Sequence, residues 1–132
     1  MRRYLFVLVL FCTVVLANSE ITIIDSVFID KSSKLTFNDM LNKKDDFSPI
    51  KKYNMGILKD TVWVKLDLTN TKDYSIQKRL HNKRTGINYI DVYIIKNNKI
   101  INTYKLGVSQ PFEIRDNHFR TSYFDIKLEP KE

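Results

Sequence analysis

The chain is poor in the residues that usually carry chemistry. Its 132 residues include one cysteine, two histidines, three glycines, three prolines and one tryptophan. Cys12 lies inside an apolar N-terminal run, directly after Phe11. Lipid attachment needs a small residue there, and once the run is removed no disulfide, thiolate or cysteine nucleophile remains. His81 and His118 stand apart, without the i, i+4 spacing of a metal-binding helix. No Gly-x-Ser-x-Gly and no glycine-rich phosphate loop occurs. Asp45 and Asp46 are adjacent, so on a loop they diverge and make a poor acid–base pair. An enzyme is therefore not expected, and no metal or other cofactor is implied.

Long apolar runs are scarce too. The single one, Leu5 to Leu16, follows the basic start Met1-Arg2-Arg3-Tyr4 and runs into the slim residues Val15-Leu16-Ala17. It is shorter than the ~20 residues a membrane helix needs. The pattern is that of a signal peptide over residues 1–17, cleaved after Ala17, and predicts export of residues 18–132, to a bacterial periplasm as well as to any other compartment. An uncleaved segment would instead leave the domain attached to the membrane, facing the periplasm. The formal charge is +7, and cleavage removes Arg2 and Arg3 from it. Export and the scatter of the lysines argue against nucleic acid as a partner. The densest basic cluster, Lys78-Arg79-Leu80-His81-Asn82-Lys83-Arg84, reads as a solvated hairpin end.

What the chain has in quantity is β-forming residues, with seven Tyr, eight Phe and many Ile, Val and Thr. The stretch Met55 to Asn70 organises the rest. From Val62 onward, Val62, Val64, Leu66 and Leu68 point one way and Trp63, Lys65, Asp67 and Thr69 the other, the period of a strand with one face on a core. Further strands are expected over Glu20–Asp30, Tyr74–Leu80, Ile87–Ile95, Ile100–Leu106 and Phe119–Leu128. Turns are expected at Thr85-Gly86 and at Lys96-Asn97-Asn98-Lys99. One short helix is expected from Phe37, capped by Thr36 with Asp39 three residues on, and stopped by Ser48-Pro49. Short strands punctuated by turns indicate a mostly antiparallel β-sandwich with a single N-terminal helix.

One binding face suggests itself. Trp63, Lys65 and Asp67 on one strand, and Tyr89, Asp91 and Tyr93 on another, lie opposite the aliphatic positions. Aromatic rings flanked by hydrogen-bonding groups suit a sugar, whose apolar C–H patches alternate with hydroxyls. Trp63 also suits simple packing beneath a neighbouring element.

Several short pieces together resemble a known family. Phe28-Ile29-Asp30 is followed by Leu35-Thr36-Phe37. Phe47-Ser48-Pro49 and Gly56 precede Val62-Trp63-Val64-Lys65, and Asn70 ends that strand. Ile90-Asp91-Val92-Tyr93, Gly107…Pro111-Phe112…Arg115 and Phe119…Leu128-Glu129-Pro130 complete the set. From about Phe28 to Pro130 the chain resembles the type 2 extracellular domain of seven-transmembrane receptors with diverse intracellular signalling modules. Lys65 stands where that family favours Arg, keeping the charge without the planar fork. The resemblance implies a jelly-roll sandwich similar to carbohydrate-binding modules, and a periplasmic sensor of a soluble small-molecule ligand such as a carbohydrate. It implies a seven-helix membrane domain as partner in a full-length receptor. It also implies that residues 18–132 are C-terminally truncated and lack a last strand, leaving one sheet edge uncovered. The alternative is a free-standing secreted carbohydrate-binding or interaction protein without signalling output.

Overall fold

In a computed structural model of the chain, residues 19–52, 59–83, 86–116 and 121–132 are described. The expected signal peptide and its cleavage site lie outside them, as do Gly56, Arg84, Thr85, His118 and Phe119. The described residues form antiparallel sheets with one short helix, as the alternation predicts. Strands β1 (Ile21–Asp30), β2 (Ser48–Pro49) and β3 (Thr61–Asn70) make one sheet in the order β2-β1-β3. β4 (Ile76–His81) pairs with β7 (Tyr123–Leu128), and β5 (Ile90–Lys96) pairs with β6 (Lys99–Leu106). No described helix is long and apolar enough to cross a membrane.

The β1–β3 ladder runs unbroken from Ile21↔Asn70 to Asp30↔Thr61. Its period of two puts Ile23, Val64, Leu66 and Leu68 on one face and Phe28, Trp63, Lys65 and Asp67 on the other. The faces are those expected from sequence, but their burial is not a simple inside and outside. Leu68 is half-buried, whereas Val64 is 53% exposed, Leu66 39% and Ile23 57%. Trp63, on the nominally outer face, is half-buried opposite Phe28, whose ring lies 6.0 Å from that of Phe47. Alternation reports which residues share a face. How much of that face a second layer covers depends on the placement of the other sheets.

Helix α1 (Phe37–Leu41) begins as its sequence predicts. The Thr36 hydroxyl accepts from the Asp39 N–H, and the Asp39 carboxylate accepts from the Thr36 N–H at 2.7 Å. A 3-10 turn, Lys44–Asp46, then leads to Ser48-Pro49. This pair does more than stop a helix, since it adds to the edge of β1 opposite Val27 and Ser26. An edge position tolerates the missing proline N–H.

The β5–β6 hairpin turns on Asn97 and Asn98, with φ of 51° and 60°, the left-handed pair that a two-residue hairpin needs. Pairing shifts between Ile94↔Asn102 and Ile95↔Ile100, so Ile101 bulges out. β5 begins at Ile90, later than the expected Ile87, and Tyr89 lies before it. Phe124, Ile126 and Leu128 share the inner face of β7, with Ile126 buried and Phe124 against the ring of Tyr104. Among the described residues, the buried apolar side chains are Met40, Ile76, Leu106 and Ile126, and two polar residues, Asp30 and Asn70, are buried with them.

Candidate functional site

Three polar or glycine nodes fix the loops around the sheets. Asp30 ends β1, and its carboxylate accepts from the Ser32 N–H and hydroxyl at 2.9 and 2.6 Å and from the Leu35 N–H at 2.9 Å. The Ser32 hydroxyl bond is the main cause holding its pKa below the ordinary aspartate value, the backbone N–H groups assisting and burial opposing. Asn70 ends β3 and gathers the start of β4 and the chain end around its side-chain amide. Gly107 ends β6 with φ +112°, tight against the Asn88 carbonyl and Tyr89 Cα. The loop after it is held by Arg115, whose guanidinium donates to the Val108 and Gln110 carbonyls, each at 2.9 Å.

Five of the six candidate ligand residues fall on two separate sheets, and the sixth, Tyr89, lies just before β5. On β3, Lys65 and Asp67 form an ion pair at 3.0 Å, both partly exposed. They make a net-neutral ledge with a donor and an acceptor side by side. Trp63 shares their face two residues earlier, but its indole Nε1 is buried without a hydrogen-bond partner among the described residues. On the β5–β6 hairpin, Asp91 stands opposite Lys105 and Tyr93 opposite Thr103. These four residues, with Val92 and Tyr104, line a hollow of about 90 Å³. The Tyr93 ring stacks on Phe37 of α1 at a centroid distance of 4.3 Å. Burial, and then the nearby Asp91 carboxylate, raise its phenol pKa. Tyr89 is 63% exposed. The structure thus joins Lys65 with Asp67, and Asp91 with Tyr93. No described contact links the β3 group to the β5 group.

A larger opening lies elsewhere. A cleft of about 480 Å³ separates the β1–β3 face from β4, with Ile23 and Leu68 on one wall and Lys78 through His81 on the other. At its end Lys78 bridges to Glu20 at 2.7 Å, and this contact is the main cause lowering the Glu20 pKa. Its volume is that of an ordinary small-molecule or peptide site. Sequence reading missed it because the walls come from sheets whose mutual placement no strand pattern encodes. The basic run at Lys78–Lys83 was the one visible signal. No cluster of three or more metal-ligating side chains occurs among the described residues.

A family model described as 7TMR-DISM extracellular 2 matches residues 25–132. No curated protein and no solved structure matches the chain.

Proposed function

This chain belongs to the 7TMR-DISM extracellular 2 family, whose members are extracellular sensor domains of seven-transmembrane receptors, and from that premise we propose that it senses a soluble ligand in the periplasm. The observation that carries the reading is the extent of the match, residues 25–132, which takes in every strand except the first four residues of β1. The ligand is sugar-like, neutral or anionic. Supporting this are the paired donor and acceptor of Lys65 and Asp67 beside Trp63, and the exposed ring of Tyr89 near the Asp91–Tyr93 hollow. Either surface alone is shallow, so each fits one or two sugar rings rather than an enclosed small molecule.

A glycan array probed with the exported chain tests the ligand class. Saturable signal lost on Lys65→Ala or on Tyr89→Ala assigns the sugar to the β3 ledge or to the β5 hollow respectively. No signal above background removes the sugar reading and leaves the sensor role intact. The sensor role has its own test, since fusion to the seven-helix and output modules of a family receptor should make output depend on the presence of this domain.

A further inference from the structure

We propose that the free edge of β3 pairs antiparallel with β3 of a second copy of this chain, joining the two sheets across a two-fold axis at Leu66. The inference goes beyond ligand sensing and does not rest on the sugar reading. The first observation is an open edge. The Thr71 N–H donates to the Glu20 carbonyl at 3.0 Å, one step beyond Ile21↔Asn70. Hydrogen-bonded pairs alternate along an antiparallel ladder, so Trp63, Lys65, Asp67 and Thr69 bond to β1. Val62, Val64, Leu66, Leu68 and Asn70 aim their backbone groups the other way. The Asn70 N–H meets the Glu132 carbonyl there. From Val62 to Leu68 that side has no strand partner among the described residues. β3 has 10 residues, holds no proline and pairs with β1 without a bulge, so it lacks two features that commonly blunt an edge.

The second observation is the apolar character of this edge. Val64 and Leu66 are 53% and 39% exposed, although they share a face with the half-buried Leu68. In the register centred on Leu66, Val64 stands opposite Leu68 of the second copy, and Leu66 opposite its own counterpart. These are the residues whose backbone groups aim outward, so each pair is hydrogen-bonded while its side chains meet across the junction.

The third observation selects the occupant and the register. Lys65 and Asp67, partly exposed and paired at 3.0 Å, flank Leu66. The two-fold axis sets Lys65 opposite Asp67 of the second copy, and Asp67 opposite Lys65. Each charge keeps its neighbour along the strand and gains an opposite charge across the junction, so the existing ion pair is extended rather than broken. The adjoining registers are penalised. A centre at Lys65 sets Lys65 on Lys65, and a centre at Asp67 sets Asp67 on Asp67. Opposite charges directly across a ladder stabilise it and like charges destabilise it. A strand that complements itself in one register and repels itself in the registers on either side is fitted to its own copy.

The test is analytical ultracentrifugation of the exported chain, without ligand, over a range of concentrations. A concentration-dependent dimer is expected. Lys65→Asp and Asp67→Lys should each weaken it about tenfold, because each sets like charges opposite one another at two symmetric places. Mixing the two variants should recover the parental affinity, since the acidic edge of one then faces the basic edge of the other. The ion pair within the strand is broken in both variants, so recovery on mixing cannot come from it. The chain carrying both substitutions should also dimerise like the parent, with its charges exchanged. A chain that stays monomeric at millimolar concentration overturns the proposal. A dimer indifferent to both single substitutions overturns it by assigning association to another surface. Failure of the mixture to recover the dimer overturns it as well.

Discussion

The Asn70 side-chain amide donates to the Glu129 carbonyl at 2.8 Å, fastening the end of β3 to the chain just beyond β7. The same nitrogen reaches the Tyr74 carbonyl at 2.8 Å and the Leu128 carbonyl at 3.4 Å, while Oδ1 accepts from the Lys72 N–H at 2.8 Å. Asn70 is only 1% exposed, so water cannot replace these bonds cheaply. The three segments it joins are the exit of β3, the approach to β4 and the C-terminal stretch, which closes one end of the domain.

Replacing Asn70 should therefore be costly although it is none of the candidate ligand residues. Asn70→Ala leaves part-buried carbonyls and the Lys72 N–H unpaired, at about 1–3 kcal/mol for each group not recovered by water. A loss of about 3 kcal/mol in urea denaturation is expected. Asn70→Asp keeps the shape but aims a second acceptor at three carbonyls, and should be at least as damaging. An Asp variant as stable as the parent would show that these bonds contribute nothing.

Gly107 should be equally intolerant for a steric reason. At φ +112° an L side chain is strained, and a Cβ would meet the Asn88 carbonyl carbon at 2.7 Å and Tyr89 Cα at 2.9 Å. That contact is backbone against backbone, so no rotamer relieves it. The adjoining bonds, from the Val108 N–H to the Ile87 carbonyl and from the Ser109 N–H to the Asn88 carbonyl, both at 3.0 Å, would have to shift with it. Gly107→Ala should lower the denaturation midpoint clearly and raise amide exchange at Val108 and Ser109. Gly86→Ala offers a contrast, since Gly86 also has positive φ but nothing within 4 Å. It should cost only the backbone strain of about 1 kcal/mol.

These nodes explain what sequence could and could not reveal. Asp30, Asn70, Gly107 and Arg115 were visible as parts of a family pattern, and each is a loop-fixing residue in the structure. Thr36 with Asp39, and Asn97 with Asn98, were legible because a cap or a tight turn depends on a few adjacent residues. Strand positions followed from alternation for the same local reason. The binding face did not follow. Trp63 and Tyr93 both alternate opposite aliphatic residues, yet they sit on different sheets, and Tyr93 is covered by Phe37. Long-range placement decides whether a face is covered, and the exposure of Val64 and Leu66 came from that placement alone.

Acid should loosen the turn after β1. The Asp30 carboxylate has its pKa lowered in the folded chain, chiefly by the Ser32 hydroxyl. A depressed carboxylate contributes stability that is present above its unfolded pKa and is lost as pH falls through the folded one. Stability should therefore decline as pH drops from the ordinary aspartate range into the lower folded range. Asp30→Asn cannot lose a charge there, so its stability should be lower at neutral pH but flatter across that interval. Parallel profiles for parent and variant, measured by urea midpoints at several pH values, would remove Asp30 from the acid response.

Trp63 separates packing from recognition on the β3 face. Its ring is half-buried opposite Phe28, and its Nε1 is buried with no acceptor among the described residues. A ring in that position contributes through packing, and Trp63→Ala should cost about 3–5 kcal/mol. The unpaired N–H works against the ring, since a buried donor without a partner costs about 1–3 kcal/mol. Trp63→Phe removes that donor while keeping most of the apolar surface, so it should lose far less than Trp63→Ala. Sugar binding through Lys65 and Asp67 should survive the Phe change, because neither partner of the 3.0 Å pair is touched. If Trp63→Ala instead leaves the melt unchanged and abolishes sugar binding, the ring is a ligand platform. In that case the face opposite Val64 and Leu66 is the recognition surface of the domain.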